Sequence, residues 1–216
     1  MKRFCLLVSF LTFALTAFAD TYNNFTGYSD FWNPLGNPNT ATYGETFSAP
    51  TDGADFLTSF SFFMGSPATP GDIVLSAYIA TWSGTQTQAG TLLYTSPSVD
   101  YANTGDAELT FNNIDLNLTS GGDYVAFLSV SQHYGDSSGR AYVSQGGTIP
   151  GGGFVYNNNG GDFSSLFSSS WSGPLSPDWA IDAEFSSSAV PEPGTLIPLG
   201  AGLLAMFAAA RRRFKN

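Results

Sequence analysis

The chain has 216 residues, 43% hydrophobic, 15% aromatic and only 11% charged, with 24 Gly, 12 Pro and one Cys. That suffices for one domain with a sizeable core and argues against disorder, while the scarcity of Lys and Arg argues against an all-α fold and the lone cysteine excludes a disulfide scaffold. Residues 20–189 carry thirteen Asp and three Glu against one base, Arg140, a net charge near −15 that excludes nucleic acid as a partner and leaves six of the seven bases to the two ends.

Lys2 and Arg3 precede an apolar run from Phe4 to Phe18 that closes on Ala17-Phe18-Ala19. A basic start, a short apolar stretch and an A-x-A site predict a secretory signal peptide over residues 1–19, cleaved after Ala19. The run is about 15 residues, short of the roughly 20 that a membrane span needs. Cys5 lies within the removed segment, so the exported chain would have no thiol.

Period-two patterning dominates the middle. Runs at Gly44–Ser48, Phe56–Met64, Asp72–Trp82, Gly90–Thr95, Ala107–Leu116, Asp123–Ser131, Arg140–Ser144, Gly152–Tyr156 and Trp179–Phe185 are separated by Gly, Pro, Asn and Asp turns. Such spacing predicts an all-β, antiparallel, jelly-roll-like β-sandwich as the exported domain at residues 20–185, with strands between Tyr22 and Phe185. The Gly-, Ser- and Asn-rich stretch from Gln145 to Pro177 is punctuated by Phe154, Phe163, Leu166, Phe167 and Trp171, which reads as long ordered loops. A Ser-rich linker at 186–189 follows.

The end reads Val190-Pro191-Glu192-Pro193-Gly194, then Thr195 to Ala210 without a charge, then Arg211-Arg212-Arg213-Phe214-Lys215. The uncharged stretch predicts a short transmembrane helix over 195–210, about 24 Å long against a hydrocarbon core near 30 Å. Snorkelling arginines and local bilayer thinning make up the difference. The basic tail at 211–215, with Arg211, Arg212, Arg213 and Lys215, would hold the cytoplasmic side.

Proline-glutamate-proline, a short apolar helix and an Arg-rich terminus, in that order, resemble a PEP-CTERM sorting signal over 190–216, a segment also known as the ice-binding-protein C-terminal motif without implying ice binding. The resemblance implies a Gram-negative or related bacterium. It also implies an integral-membrane exosortase as partner, recognising Pro191, Glu192 and Pro193, with anchoring in the inner membrane before processing and a host that makes exopolysaccharide. It covers the C-terminus alone, and the central domain resembles no family. Two glycosylation sequons, Asn24-Phe25-Thr26 and Asn117-Leu118-Thr119, would not meet the eukaryotic pathway in such a host.

Catalytic chemistry has few carriers. Gly135-Asp136-Ser137-Ser138-Gly139 matches G-x-S-x-G, but it links two strands, and a nucleophile elbow needs a strand, a turn and a helix. The lone imidazole, His133, sits in the same loop, and one imidazole cannot hold zinc without cysteines. Glu45, Glu108 and Glu184 are the candidates to pair with an Asp as a glycosidase acid and nucleophile, though most read better as solvent-facing strand positions. No cofactor is expected. Calcium is the weaker alternative, with hard oxygens at Asp52 to Asp55, Asp100 to Asp106 and Asn157 to Asp162, where turn chemistry explains the same residues.

Aromatics supply the remaining candidates. Trp32, Trp82 and Trp171 lie at strand ends or in loops, where exposed rings would stack on sugars and packing under a loop is the equal alternative for each, while Trp179 sits on an apolar face and reads as core. The leading expectation is a non-catalytic, exported cell-surface or extracellular-matrix protein. The alternative is a carbohydrate-binding module for exopolysaccharide, followed by a secreted glycoside hydrolase or lyase.

Overall fold

Turns cut the central sequence into thirteen strands, and the computed structural model describes them over residues 19–26, 30–102 and 104–187. Ala17, the helix expected at Thr195 to Ala210, Pro191 to Pro193 and the basic tail lie outside the described residues. Within the described residues, no helix is long and apolar enough to cross a membrane.

The strands are β1 (Ala19–Asn23), β2 (Phe31–Leu35), β3 (Thr42–Ser48), β4 (Phe56–Thr69), β5 (Ile73–Ser83), β6 (Gln88–Thr95) and β7 (Val99–Tyr101), followed by β8 (Ala107–Asn117), β9 (Asp123–Ser129), β10 (Arg140–Ser144), β11 (Gly153–Asn157), β12 (Ser172–Leu175) and β13 (Ile181–Ser186). They form two antiparallel sheets. One runs β1-β13-β4-β10-β2 with β8 also on β4; the other runs β12-β11-β3-β9-β5-β6 with β7 also on β5. β4 is the spine of the first sheet. Phe56 to Phe62 pair with β13 on one edge and β8 on the other, and β10 takes over the β13 edge from Met64 onward.

The two ends of the domain meet. β1 lies against β13, with Asp20 opposite Phe185 and Tyr22 opposite Ala183. β13 extends to Ser186, which faces both Ala19 and Phe56, so the first residue of the expected linker belongs to the sheet.

Alternation along the strands sends one set of side chains between the sheets. Ile181, Ala183 and Phe185 are buried while Glu184 is exposed, as the pattern at the chain's last strand predicts. The core is aromatic. Phe60 and Phe62 lie 4.9 Å apart by ring centroid, Phe62 and Trp179 4.7 Å, and Phe47 packs on Phe60, Tyr124 and Phe185.

A second core lies on the outer face of the second sheet. Tyr78, Ala80, Val125 and Phe127 alternate with residues of the first core, yet they too are buried, together with Val155, Leu166 and Trp171. Their cover is the Asn157 to Trp171 segment, centred on a 3-10 turn at Phe163–Phe167 and tied down by Asn159, which accepts from the Thr42 hydroxyl at 2.9 Å and donates to Ser131 Oγ at 2.5 Å. Covered on both faces, β9 is a nearly continuous buried run. The 145–177 stretch is accordingly ordered, and it supplies β11 and β12 as well as this flap.

Asn24 locks the first strand into place. Its Nδ2 donates to the carbonyls of Gly147 at 2.7 Å and Trp179 at 3.0 Å, and its Oδ1 accepts from the Ile181 N–H at 2.7 Å. Asn24→Ala leaves these buried groups unsatisfied and is expected to cost about 1–3 kcal/mol. Asn24→Asp, which keeps the acceptor and loses both donors, should cost a similar amount. Urea midpoints of the three proteins check this, and an alanine variant as stable as the parent would refute it.

Candidate functional site

β2 ends the first sheet on the side away from β1, and β12 ends the second with β11 beside it. Their side chains meet across this edge in a cleft of about 250 Å³. The register explains which residues arrive there. Tyr156 of β11 sits directly opposite Tyr43 of β3, and Phe154 two residues earlier shares that face, whereas Val155 points into the outer core. From the other sheet, Trp32 of β2 stacks flat on Phe154 with centroids 4.5 Å apart and planes 8° from parallel.

The rings hold one another. Phe154 meets Tyr43 edge-on at 4.9 Å, and Tyr43 meets Tyr156 edge-on at 6.2 Å. Tyr43 and Phe154 are buried and form the floor, while Trp32 and Tyr156 are half-buried walls. Asn33, Asn158 and Leu175 are exposed at the rim, and Thr40 completes the lining. Burial pushes the Tyr43 phenol above its usual range, against the pull of the Thr40 hydroxyl, so it stays protonated at neutral pH. The Trp32 indole nitrogen is buried and has no hydrogen-bond partner among the described residues. A second, wider hollow of about 450 Å³ includes Asp20, Tyr22 and Asp52 in its lining.

Of the three tryptophans proposed to touch sugars, the cleft contains Trp32 alone. Trp171 is 4% exposed. Its ring packs edge-on against Phe127 at 5.3 Å and its Nε1 donates to the Leu166 carbonyl at 2.9 Å, so it presents no open face. Trp82 is half-buried against Trp171, at 5.9 Å on the outer core. A loop tryptophan gives no sign in sequence of the surface that will cover it. Tyr43, Phe154 and Tyr156 carried only the strand pattern, and nothing local marked them as lining a cleft.

The catalytic candidates are engaged in the framework. Ser137 Oγ accepts from the Val74 N–H at 3.0 Å, pinning the loop to β5, and His133 faces Asp136 at 3.4 Å on the exposed side of its own turn. Glu45 departs from the solvent-facing reading. It points inward from β3 with no exposure, because it alternates in phase with Tyr43 and Phe47. Its Oε1 accepts from the Gly153 N–H at 2.7 Å and its Oε2 from the Trp179 N–H at 2.8 Å. Glu108 and Glu184 are exposed on the outer face of the first sheet, near enough to Asp182 that their charges help hold its carboxyl above the usual range, behind the larger effect of burial.

Two of the acidic loops act as turn chemistry. Asp52 accepts from the Ala54 N–H, and Asp162 caps the 3-10 turn through Ser164 and Ser165, hydrogen bonds that hold its carboxyl below its ordinary range. No group of three metal-ligating side chains occurs among the described residues.

Fold and cleft together define an all-β sandwich with a neutral aromatic hollow at one edge, carried ahead of a separate C-terminal tract. That tract, residues 189–213, matches the family described as the PEP-CTERM protein-sorting motif, while the central domain has no family assignment. The motif implies export and processing by an exosortase at the membrane, in general terms. No curated protein matches the chain. Among solved structures it is similar to a clostridial cysteine protease, Cwp84, after propeptide cleavage, at 14% identity and a TM-score of 0.49 over 79% of this chain and 40% of that one. It is also similar to a structure of infectious bursal disease virus, Gt strain, at 16% identity and a TM-score of 0.24 over 82% and 43%. The chain therefore spans less than half the length of either.

Proposed function

We propose that this chain is a non-catalytic protein of the cell surface or extracellular matrix, exported by its signal peptide, held in the inner membrane by residues 195–210, and released to its destination by exosortase processing. The observation that carries this reading is the sorting motif at 189–213, placed directly behind a domain whose last strand ends at Ser186. Support for a non-catalytic role comes from Ser137 and Glu45, the side chains nearest to a nucleophile and a buried acid, since both hold backbone N–H groups. We read the topology as jelly-roll-like, because β4 and β5 lie in opposite sheets and β8 and β9 follow alongside them.

Replacing Pro191, Glu192 and Pro193 with alanine is expected to leave export intact and block processing, so that uncut protein accumulates in the inner membrane. Residues 186–216 fused to an unrelated exported domain should be processed in a host with an exosortase and not in one without. Normal maturation of the alanine variant, seen by immunoblot of membrane and medium, would reduce the motif to a rigid neck.

The second reading is a carbohydrate-binding module for exopolysaccharide, favoured by the aromatic lining around Trp32. A glycoside hydrolase or lyase ranks behind it, since Glu108 and Glu184 stand on an open sheet face while Glu45 is sealed in the core.

A further inference from the structure

Building on the carbohydrate-binding reading, we infer that the cleft between β2 and β11 is a site for one ring or chain end of a neutral, hexose-based glycan, walled by Trp32 and Tyr156 and read at its rim by Asn33 and Asn158.

Size sets the first limit. At about 250 Å³ the cleft falls below the roughly 300–1,000 Å³ of sites for drug-sized ligands, which suits a single ring better than a long chain. Charge sets the second. The domain carries sixteen carboxylates, yet among the described residues none lines this hollow, and neither does Arg140. An anionic ligand would enter against the field of an acidic domain, and a cationic one would find no counter-charge inside.

The lining matches what remains. A pyranose has apolar C–H faces and hydroxyl groups around its edge. Aromatic side chains cover the first, and amides, each with two donors and an acceptor, read the second. Asn33 and Asn158 are exposed and spend no side-chain hydrogen bond among the described residues, and neither does the Tyr156 phenol. The rings are fixed on strands and packed on one another, so little side-chain freedom is lost when a ligand arrives.

Trp32 itself breaks a stability rule in favour of this surface. Its indole N–H is buried without an acceptor among the described residues, a cost that phenylalanine would avoid at the same stacking position on Phe154. Such violations gather where a residue is kept for something other than folding. The outer core gives the contrast, because the buried Trp171 there has its acceptor.

The test uses the full chain in a zwitterionic detergent, avoiding sugar-headed ones, titrated with neutral gluco-, galacto- and manno-oligosaccharides and with a polyuronate oligomer. Calorimetry and tryptophan fluorescence read binding. At least one neutral oligosaccharide is expected to saturate, and the polyuronate to bind about tenfold more weakly or not at all. Tyr156→Ala and the exposed pair Asn33→Ala with Asn158→Ala should each weaken binding about tenfold, while Trp82→Ala leaves it unchanged. The Asn pair keeps the test valid should the Tyr156 variant fold poorly. Neutral-glycan binding that survives the Asn pair overturns this site and leaves the carbohydrate reading standing with its site elsewhere. Equal affinity for the polyuronate overturns the neutral class, and no binding to any glycan overturns both.

Discussion

Trp179→Ala is expected to take a large share of the domain's stability away. The ring is fully buried at the centre of the sandwich, packed on Phe62, with its indole N–H donated to the Phe63 carbonyl at 2.9 Å. Its own backbone N–H is held by Glu45, so the residue joins β4, β3 and the entry to β13. Emptying such a site costs about 3–5 kcal/mol, from a total that for most domains is about 5–15 kcal/mol. A thermal midpoint lower by about 10 °C or more follows, measurable by circular dichroism on the full chain. Trp179→Phe keeps most of the buried area and should lose only about 1–2 kcal/mol with the hydrogen bond. An alanine variant that melts with the parent would mean that β13 is not anchored through this ring.

Glu45 gives the second large effect, and it depends on pH. Burial pushes its carboxyl well above the ordinary range, the neighbouring Asp178 adds to this, and the N–H groups of Trp179 and Gly153 pull it back in part. Asp178 is also raised, by burial first and against its bond from the Ile149 N–H. The folded state therefore holds a proton that the unfolded chain releases at about pH 4.3. This contribution is fully present below the ordinary carboxylate range and is lost as pH rises toward the raised value. Melts should show a more stable domain at pH 5 than at pH 8. Relief of general acidic repulsion acts in the same direction, so the discriminating variant is Glu45→Gln. Its amide cannot accept from both N–H groups, which costs about 1–3 kcal/mol at pH 5, and the gap to the parent should narrow by pH 8. Equal pH slopes for both proteins would refute the assignment.

The role of Glu45 was hidden for a definite reason. A glutamate in an alternating strand is ordinarily an outward position, and Glu184 obeys that rule. Glu45 shares the phase of Tyr43 and Phe47, so its phase points inward. Only the arrival of Gly153 and Trp179, more than a hundred residues away, supplies the donors that let a carboxyl stay there. Asn24 is similar. In sequence it heads an Asn-x-Thr triplet, and its three partners at Gly147, Trp179 and Ile181 exist only once the ends of the domain have met.

Patterns carried by neighbouring residues were legible from the start. The all-β class, the alternation from Trp179 to Phe185, the turn role of the G-x-S-x-G stretch and the sorting motif all follow from side chains one to a few positions apart, where a strand's period of two or the order of a linear signal acts directly. Pairings across the sandwich were not legible. The Asn157 to Trp171 flap decided between the two readings of Trp171 and made it the wall of a second core, and sheet register carried Tyr43, Phe154 and Tyr156 to the same edge as Trp32. Burial of a loop aromatic, or the lining of a cleft between two sheet edges, depends on surfaces brought together by chain closure, and local sequence does not encode which surface that will be.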